Sequence, residues 1–520
     1  MNNIIYYTFS SVGICAAVLK QLDDQSNDVQ SVAVKCLGIL LKKVQQSQII
    51  EISEKLCALI LDGKDALRDI YSIGLKTLIA DVPDVMGGAV SERLTSRLLR
   101  GTTMSKSDEV KRECIDNLSD LLRRFGHLSV REHEDIMNGV IKQLEHEQQM
   151  IRKRAAICLG VLSLVCSDYL LNRLVETILG LIERAGGEGK EREEKKKGKN
   201  VKVIKTKANV DIRTLIQTIG TISRTVGHRL AKYLDRLIPV LLRFCGDPSD
   251  ESQQDEVSNE LREHCFPGLE SFVLRCPKEV QPYMARIIDT TLGFVKYDPN
   301  YCYTDEADEE GGDPDYGEES GGAMDEEGEG GDGGPDGEDE DGDYGNEEYN
   351  AGSDDDDGSW RIRKAAVRVL AAFVSTRGDV LQELYDKCAD VLISRFKERE
   401  DNVQLDVIAC VSLLLAATAS ARAARSRRTE TGLLVGVTSA GGALAGVPPS
   451  SGGPSALSAA QQELVRSLER RVPRLMRSVG GLLTASKGAA GQGGGAESSS
   501  VKAKVAVIDL LKNLTQALQV

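Results

Sequence analysis

Five histidines, twelve cysteines and a run of four aspartates are the residues of this 520-residue chain whose chemistry could reach beyond packing. His127, His133, His146, His228 and His264 offer imidazoles for acid–base work or metal ligation. Only His127 and His133 are close in sequence, and their spacing puts them on different faces of a helix. Surface positions are therefore expected for the histidines. The cysteines form no C-x-x-C pair, and none has a histidine at metal-ligand spacing. Cys36, Cys57, Cys114, Cys158 and Cys388 fall in helical apolar patterns, which is the setting of buried free thiols in a reducing compartment. No serine has a G-x-S-x-G context. The glycines around 311–337 stand among carboxylates, which would repel a phosphate. The aspartates at 354–357 lack the alternating ligands and sharp-turn glycine of a calcium loop and read as a charge run. These residues predict no catalytic, metal or cofactor site, and a protein that is not an enzyme.

The elements that carry them repeat. NDVQSVAVKCLGIL, DEVKRECIDNLSDLL, MIRKRAAICLGVLSLV, VDIRTLIQTIGTI, WRIRKAAVRVLAAFV and DNVQLDVIACVSLLL share one skeleton, and VKAKVAVIDLLKNL is a weaker copy. Val29, Val110, Ile151, Ile212, Ile362 and Val403 are its equivalent apolar anchors, with Leu261 in ELREHCFPGLESFVL. Val110 to Ile151 and Ile362 to Val403 are both 41 residues, and Val29 to Val110 is 81, with DALRDIYSIGLKTLI between them as a degenerate copy. A period near 40 with two helical stretches per unit predicts an all-α HEAT or armadillo superhelix. Each anchor is expected to open the second helix of its unit, with apolar residues at i, i+3, i+4 and i+7. Asp28, Asp108 and Asp401 are expected to cap those helices. Arg152, Arg213, Arg262 and Arg363, each just after an anchor, are expected to line the inner turn and pair with a neighbouring unit's carboxylate.

Composition fits this reading. The chain is 41% hydrophobic but only 4% aromatic, so its core is aliphatic, as in helix-on-helix packing. Residues 301–358 hold 26 Asp and Glu and no Lys or Arg; without them the formal charge of −15 becomes +11. HEAT repeats are expected over 14–300 and 359–420. A disordered acidic loop is expected over 301–358, a low-complexity insert over 421–460, and a partial repeat with a Gly/Ser-rich insert over 461–520. Within 421–500, QQELVRSLERRVPRLMRSVGGLL is the one stretch expected to be helical, and 186–207 is expected to be a solvated loop. The apolar stretch Ile4 to Leu19 lacks a basic flank and is not expected to be a signal peptide. The best apolar run, Val407–Ala421, is expected to be a core helix rather than a membrane span. Scattered charge without an aromatic platform argues against nucleic acid.

Three stretches carry more than the repeat skeleton. QLDDQSNDVQSVAVKCLGILLKKV at 21–44, SFVLRCPKEVQPY at 271–283 and KYDPN at 296–300 resemble the cullin-associated and neddylation-dissociated family. The order is similar as well: an acidic loop follows KYDPN, then WRIRKAAVRVL at 360–370 and LISRFKEREDNVQLDV at 392–407. The resemblance covers most of 14–410 and, weakly, 461–520, on the N-terminal side of a much longer family. It implies a HEAT solenoid that wraps the unmodified cullin–RING ubiquitin ligase core and exchanges its substrate receptors. Its N-terminal repeats would clasp the cullin C-terminal region and the RING subunit. It further implies no small-molecule substrate, no nucleic acid, no membrane, a monomer when unbound, and a cytoplasmic and nuclear location. It assigns no individual contact residue, so the partner-binding residues stay unknown. An importin-type nuclear transport carrier and a phosphatase scaffold are the alternatives that the repeat skeleton leaves open.

Overall fold

The apolar spacing of three and four is realised as helix, and no strand forms among the described residues. The computed structural model describes residues 13–195, 211–250, 256–298, 358–432, 459–485 and 494–518. Helices come in pairs. The first units are α1 (13–21) with α2 (Asn27–Leu41), α3 (Gln46–Asp62) with α4 (Arg68–Asp81), and α5 (Asp84–Met104) with α6 (Asp108–Phe125). Next come α7 (His133–Ile141) with α8 (Gln149–Val165), α9 (Asp168–Lys195) with α10 (Ile212–Val226), α11 (Leu234–Cys245) with α12 (Glu256–Arg275), and α13 (Met284–Val295) with α14 (Ser359–Thr376). Then α15 (Leu381–Leu384) and α16 (Asp390–Ser394), joined by a π turn, pair with α17 (Asp401–Gly432), and α18 (Ala459–Ala485) pairs with α19 (Gly494–Leu518).

The second helix of each unit packs on the second helix of the next, from α2 through to α19, and from α6 onward more closely than the first helices pack on one another. In a curved stack the closely spaced layer is the inside, so α2, α4, α6, α8, α10, α12, α14, α17 and α19 form the inner layer. One continuous apolar core runs between the layers from Cys15 to Ala517, mostly Leu, Ile and Val. Burial of each such side chain stabilises by about 1.5–3 kcal/mol, which no single helix pair could collect alone. Phe266, Phe294 and Tyr297 add edge-to-face contacts at 5.4 and 5.5 Å.

Four anchors, Val110, Ile151, Ile362 and Val403, are buried, and Ile212 and Leu261 pack half-buried against the core. Val29 holds the anchor position of its unit but is exposed, because no earlier inner helix covers that flank of α2 among the described residues. Asp28 and Asp108 do not cap. They lie in the first turns, facing the helix dipole, while Ser107 accepts from the Val110 N–H and Asp211 from the Arg213 N–H.

The insertions differ in part from expectation. The backbone of α9 continues through Lys195 into the stretch read as a loop, and that of α17 continues to Gly432. Both extensions prolong helices already nucleated by buried faces. The helix read at 461–483 is present as α18. The acidic segment at 301–357 and all of 433–458 lie outside the described residues. Asp401–Ala423, with a mean hydropathy of 1.8, is by length and composition alone enough to cross a membrane, so the apolar run is longer than the sequence count. Here Val407, Ile408, Cys410 and Leu414 of that helix are buried and it packs against α14 and α19, as in a core helix.

Candidate partner-binding surface

What holds the inner surface in shape is a repeated use of the residue after the anchor. Gln30 donates to the Asp24 carbonyl at 2.7 Å, Arg68 to Ile60 at 2.9 Å, and Arg152 to His146 and Glu147 at 2.9 and 2.8 Å. Arg262 donates to Cys245 at 2.9 Å, Arg363 to Tyr297 at 3.0 Å, and Gln404 to Phe396 at 3.0 Å. All these acceptors are carbonyls at or just beyond the end of the unit's own outer helix, which helix geometry leaves unpaired. The expected pairing with a neighbouring unit's carboxylate holds as well for three of the four arginines, with Arg363 reaching Glu398 at 3.1 Å. Arg213 does pair with Glu260 on the next inner helix, and Arg152 lies 3.7 Å from Asp211. Arg262 instead stacks on Phe294 and Tyr297 at 5.0 and 5.6 Å and bonds Asn259.

The opposite edge carries a second device that reaches back one unit. Arg124, at the end of α6, donates to the Val82 carbonyl at 2.8 Å and to Asp84. Arg229, after α10, donates to the Ser163 and Cys166 carbonyls at 2.7 and 2.8 Å and to Asp168, whose carboxyl it holds below its ordinary range. Arg377, after α14, donates to the Pro277 carbonyl at 2.8 Å, to Gln281 and to Asp379.

Within this frame the inner helices present a face that is largely self-neutralised. Asp116 of α6 lies between Lys76 of α4, at 3.6 Å, and Arg154 of α8. Arg368 of α14 bonds Asp406 of α17 at 3.2 Å. The positive excess of the body is thus interleaved with acid rather than drawn into a stripe. Exposed aliphatics stand beside these pairs: Val32 and Ile39 on α2, Ile73 on α4, Ile157 and Leu164 on α8. Such a mixed, extended face suits a long protein surface rather than a small molecule. A wide-mouthed, polar cleft of about 440 Å³ has Asp108, Lys111, Glu145 and His146 in its wall.

The sequence-singled residues are now placed. His127 and His228 are exposed as expected, and His146 and His264 are half-buried. His133 is buried, because the repeat that carries it turns it inward, where Nε2 bonds the Gly126 carbonyl at 2.8 Å. His127 and His133 share no site. The described cysteines are free; Cys36 is half-buried and the others are buried. Burial pushes the Cys57 thiol up to about 11 and those of Cys158 and Cys388 to about 12.

Paired helices, an aliphatic core shared between units and a continuous inner face define a HEAT-type solenoid, the architecture of extended scaffolds. The fold is similar to that of importin β, with a TM-score of 0.50 and 11% identity, covering 99% of this chain and 55% of that one. No family model matches the chain. By sequence it is a homologue of part of the cullin-associated NEDD8-dissociated proteins. It is 35% identical over 419 residues to cullin-associated NEDD8-dissociated protein 1 of Drosophila melanogaster, covering 79% of this chain and 29% of that protein. Against the Dictyostelium discoideum protein of the same name it is 37% identical over 417 residues, covering 77% and 30%. The chain therefore spans just under a third of the length of these relatives.

Proposed function

We propose that this chain is a non-enzymatic scaffold that binds the cullin C-terminal region and its RING subunit when the cullin carries no ubiquitin-like modifier. The observation that carries this reading is the 35% identity over 79% of the chain to a protein whose name records both cullin association and NEDD8 dissociation. The likeness to importin β lies in the fold alone, so it does not favour a transport carrier. The inner helices between α2 and α17 would supply the contact. The chain would act as a monomer in cytoplasm and nucleus, regulating assembly and receptor exchange of the ligase.

The test is capture by immobilised cullin–RING cores with and without the modifier. Retention on the unmodified core alone is the expected result; equal capture on both, or on neither, would overturn the proposal. Because the chain corresponds to one arm of a longer clamp, its avidity should be about 10²–10⁴ below that of the whole clamp. It should slow modifier attachment while leaving a bound adaptor in place.

A further inference from the structure

Among the described residues, three pairs of neighbouring turns along the clasped edge are tied by arginine: those after α4 and α6, α8 and α10, and α12 and α14. The turns after α10 and α12 meet differently. Among the described residues they touch through a weak thiol contact, Cys276 Sγ to the Gly227 carbonyl at 3.9 Å, and through His228 Nε2 and Glu279 Oε1, also 3.9 Å apart. An imidazole, a thiol and a carboxylate from two adjacent units converge there, with their ligand atoms all within 4.8 Å of one another.

We propose that His228, Cys276 and Glu279 form a zinc-type metal site that clips these two units together. One nitrogen, one sulfur and one oxygen ligand suit a tetrahedral zinc ion with a fourth position open to water or to a partner's side chain. Tetrahedral ligands around zinc lie about 3.3–3.7 Å apart, so the trio must close by about 1 Å. The freedom to do so is present. The side chain of His228 is 72% exposed and that of Glu279 34%, so both can rotate, while Cys276 is fixed and fully buried. Gly227, at φ 57°, sets the turn that brings His228 alongside. Glu279 is the charge that raises the Cys276 thiol beyond the effect of burial, and an incoming cation would reverse that influence. Binding replaces the S–H bond by a sulfur–metal bond and releases one proton to solvent, with no change of oxidation state.

Cobalt(II) titration of the metal-stripped full chain tests this. A thiolate-to-cobalt charge-transfer band with tetrahedral ligand-field bands, displaced by zinc, is the expected result. Ions collected by the acidic segment would give oxygen-only spectra without the sulfur band. Cys276→Ser should abolish the band. His228→Gln, a surface change that leaves the fold intact, should weaken affinity by at least about 10-fold, the lower end of what even an outer-shell partner contributes. No sulfur band in the wild-type chain, a band that persists in Cys276→Ser, or unchanged affinity in His228→Gln would each overturn the site.

Discussion

Arg363 and Asp298 lie on opposite sides of the acidic segment in sequence and 3.6 Å apart in space, both side chains wholly buried. The same guanidinium donates to Glu398 at 3.1 Å, and Arg399 reaches Asp298 at 3.2 Å. One buried arginine thus joins three parts of the chain, the end of α13, the start of α14 and the turn before α17. Removing it would leave two buried carboxylates each with one remaining arginine, Arg399 for Asp298 and Arg395 for Glu398. Arg363→Met should cost about 3–5 kcal/mol in urea unfolding. Arg399→Ala, at a side chain that is 39% exposed, should cost less than about 1 kcal/mol.

A nicked chain should hold together. Arg363 and Arg399 to Asp298, Lys387 to Asp289 and Arg377 to Pro277 all join parts of the chain on either side of the acidic segment, and α13 packs on α14. Brief digestion with a glutamate-specific protease should cut within 305–348, and the two pieces should co-elute in gel filtration. Two separate peaks after cutting would show that the segment links independent bodies.

Two histidines set the acid side of the stability profile. Burial lowers the pKa of His133 and of His264 below the ordinary 6.5, and Arg213 lowers that of His264 further. The unfolded chain therefore takes up these protons first as pH falls. Stability should be level above 6.5 and drop as pH passes through 6.5 towards the depressed native values. Melting temperatures from about pH 7.5 to about pH 5.5 should show this fall, shallower in His133→Asn. An identical slope in that variant would clear His133 of the effect.

Thiol labelling should be selective. Cys57, Cys158 and Cys388 are buried and held as neutral thiols, whereas Cys36 is half-exposed on α2. Alkylation of the native chain followed by mass spectrometry should find Cys36 modified first among these. Comparable early modification of Cys158 would mean that α8 opens readily.

The helix pairing was readable because a period near 40 and an apolar spacing of three to four are properties of local sequence. What the anchor's neighbour does was only half readable. That Arg262 and Arg363 turn inward follows from the pattern; that they serve their own unit's carbonyls depends on where the outer helix ends, which spacing does not record. The phase of α2 was readable, but the burial of Val29 was not, because among the described residues no earlier inner helix covers it. The His228, Cys276 and Glu279 cluster was invisible to a search for short-range ligand spacing. A signal existed: Gly227 stands 15 residues after the Ile212 anchor and Cys276 stands 15 after Leu261. Overlaying the periods would have set the two turns side by side.

The bond from Arg363 to the Tyr297 carbonyl has a consequence in polymer terms. It pins the two ends of the acidic insertion within the unit they belong to, so the rest of the stack registers only that the ring is closed. Ring closure grows with the logarithm of length, and doubling such a loop costs only about 0.6 kcal/mol. The slot between α13 and α14 is therefore one in which residues can be added, lost or exchanged almost without thermodynamic penalty. The chain's overall charge can change there, even in sign, while the curvature of the solenoid stays as it is.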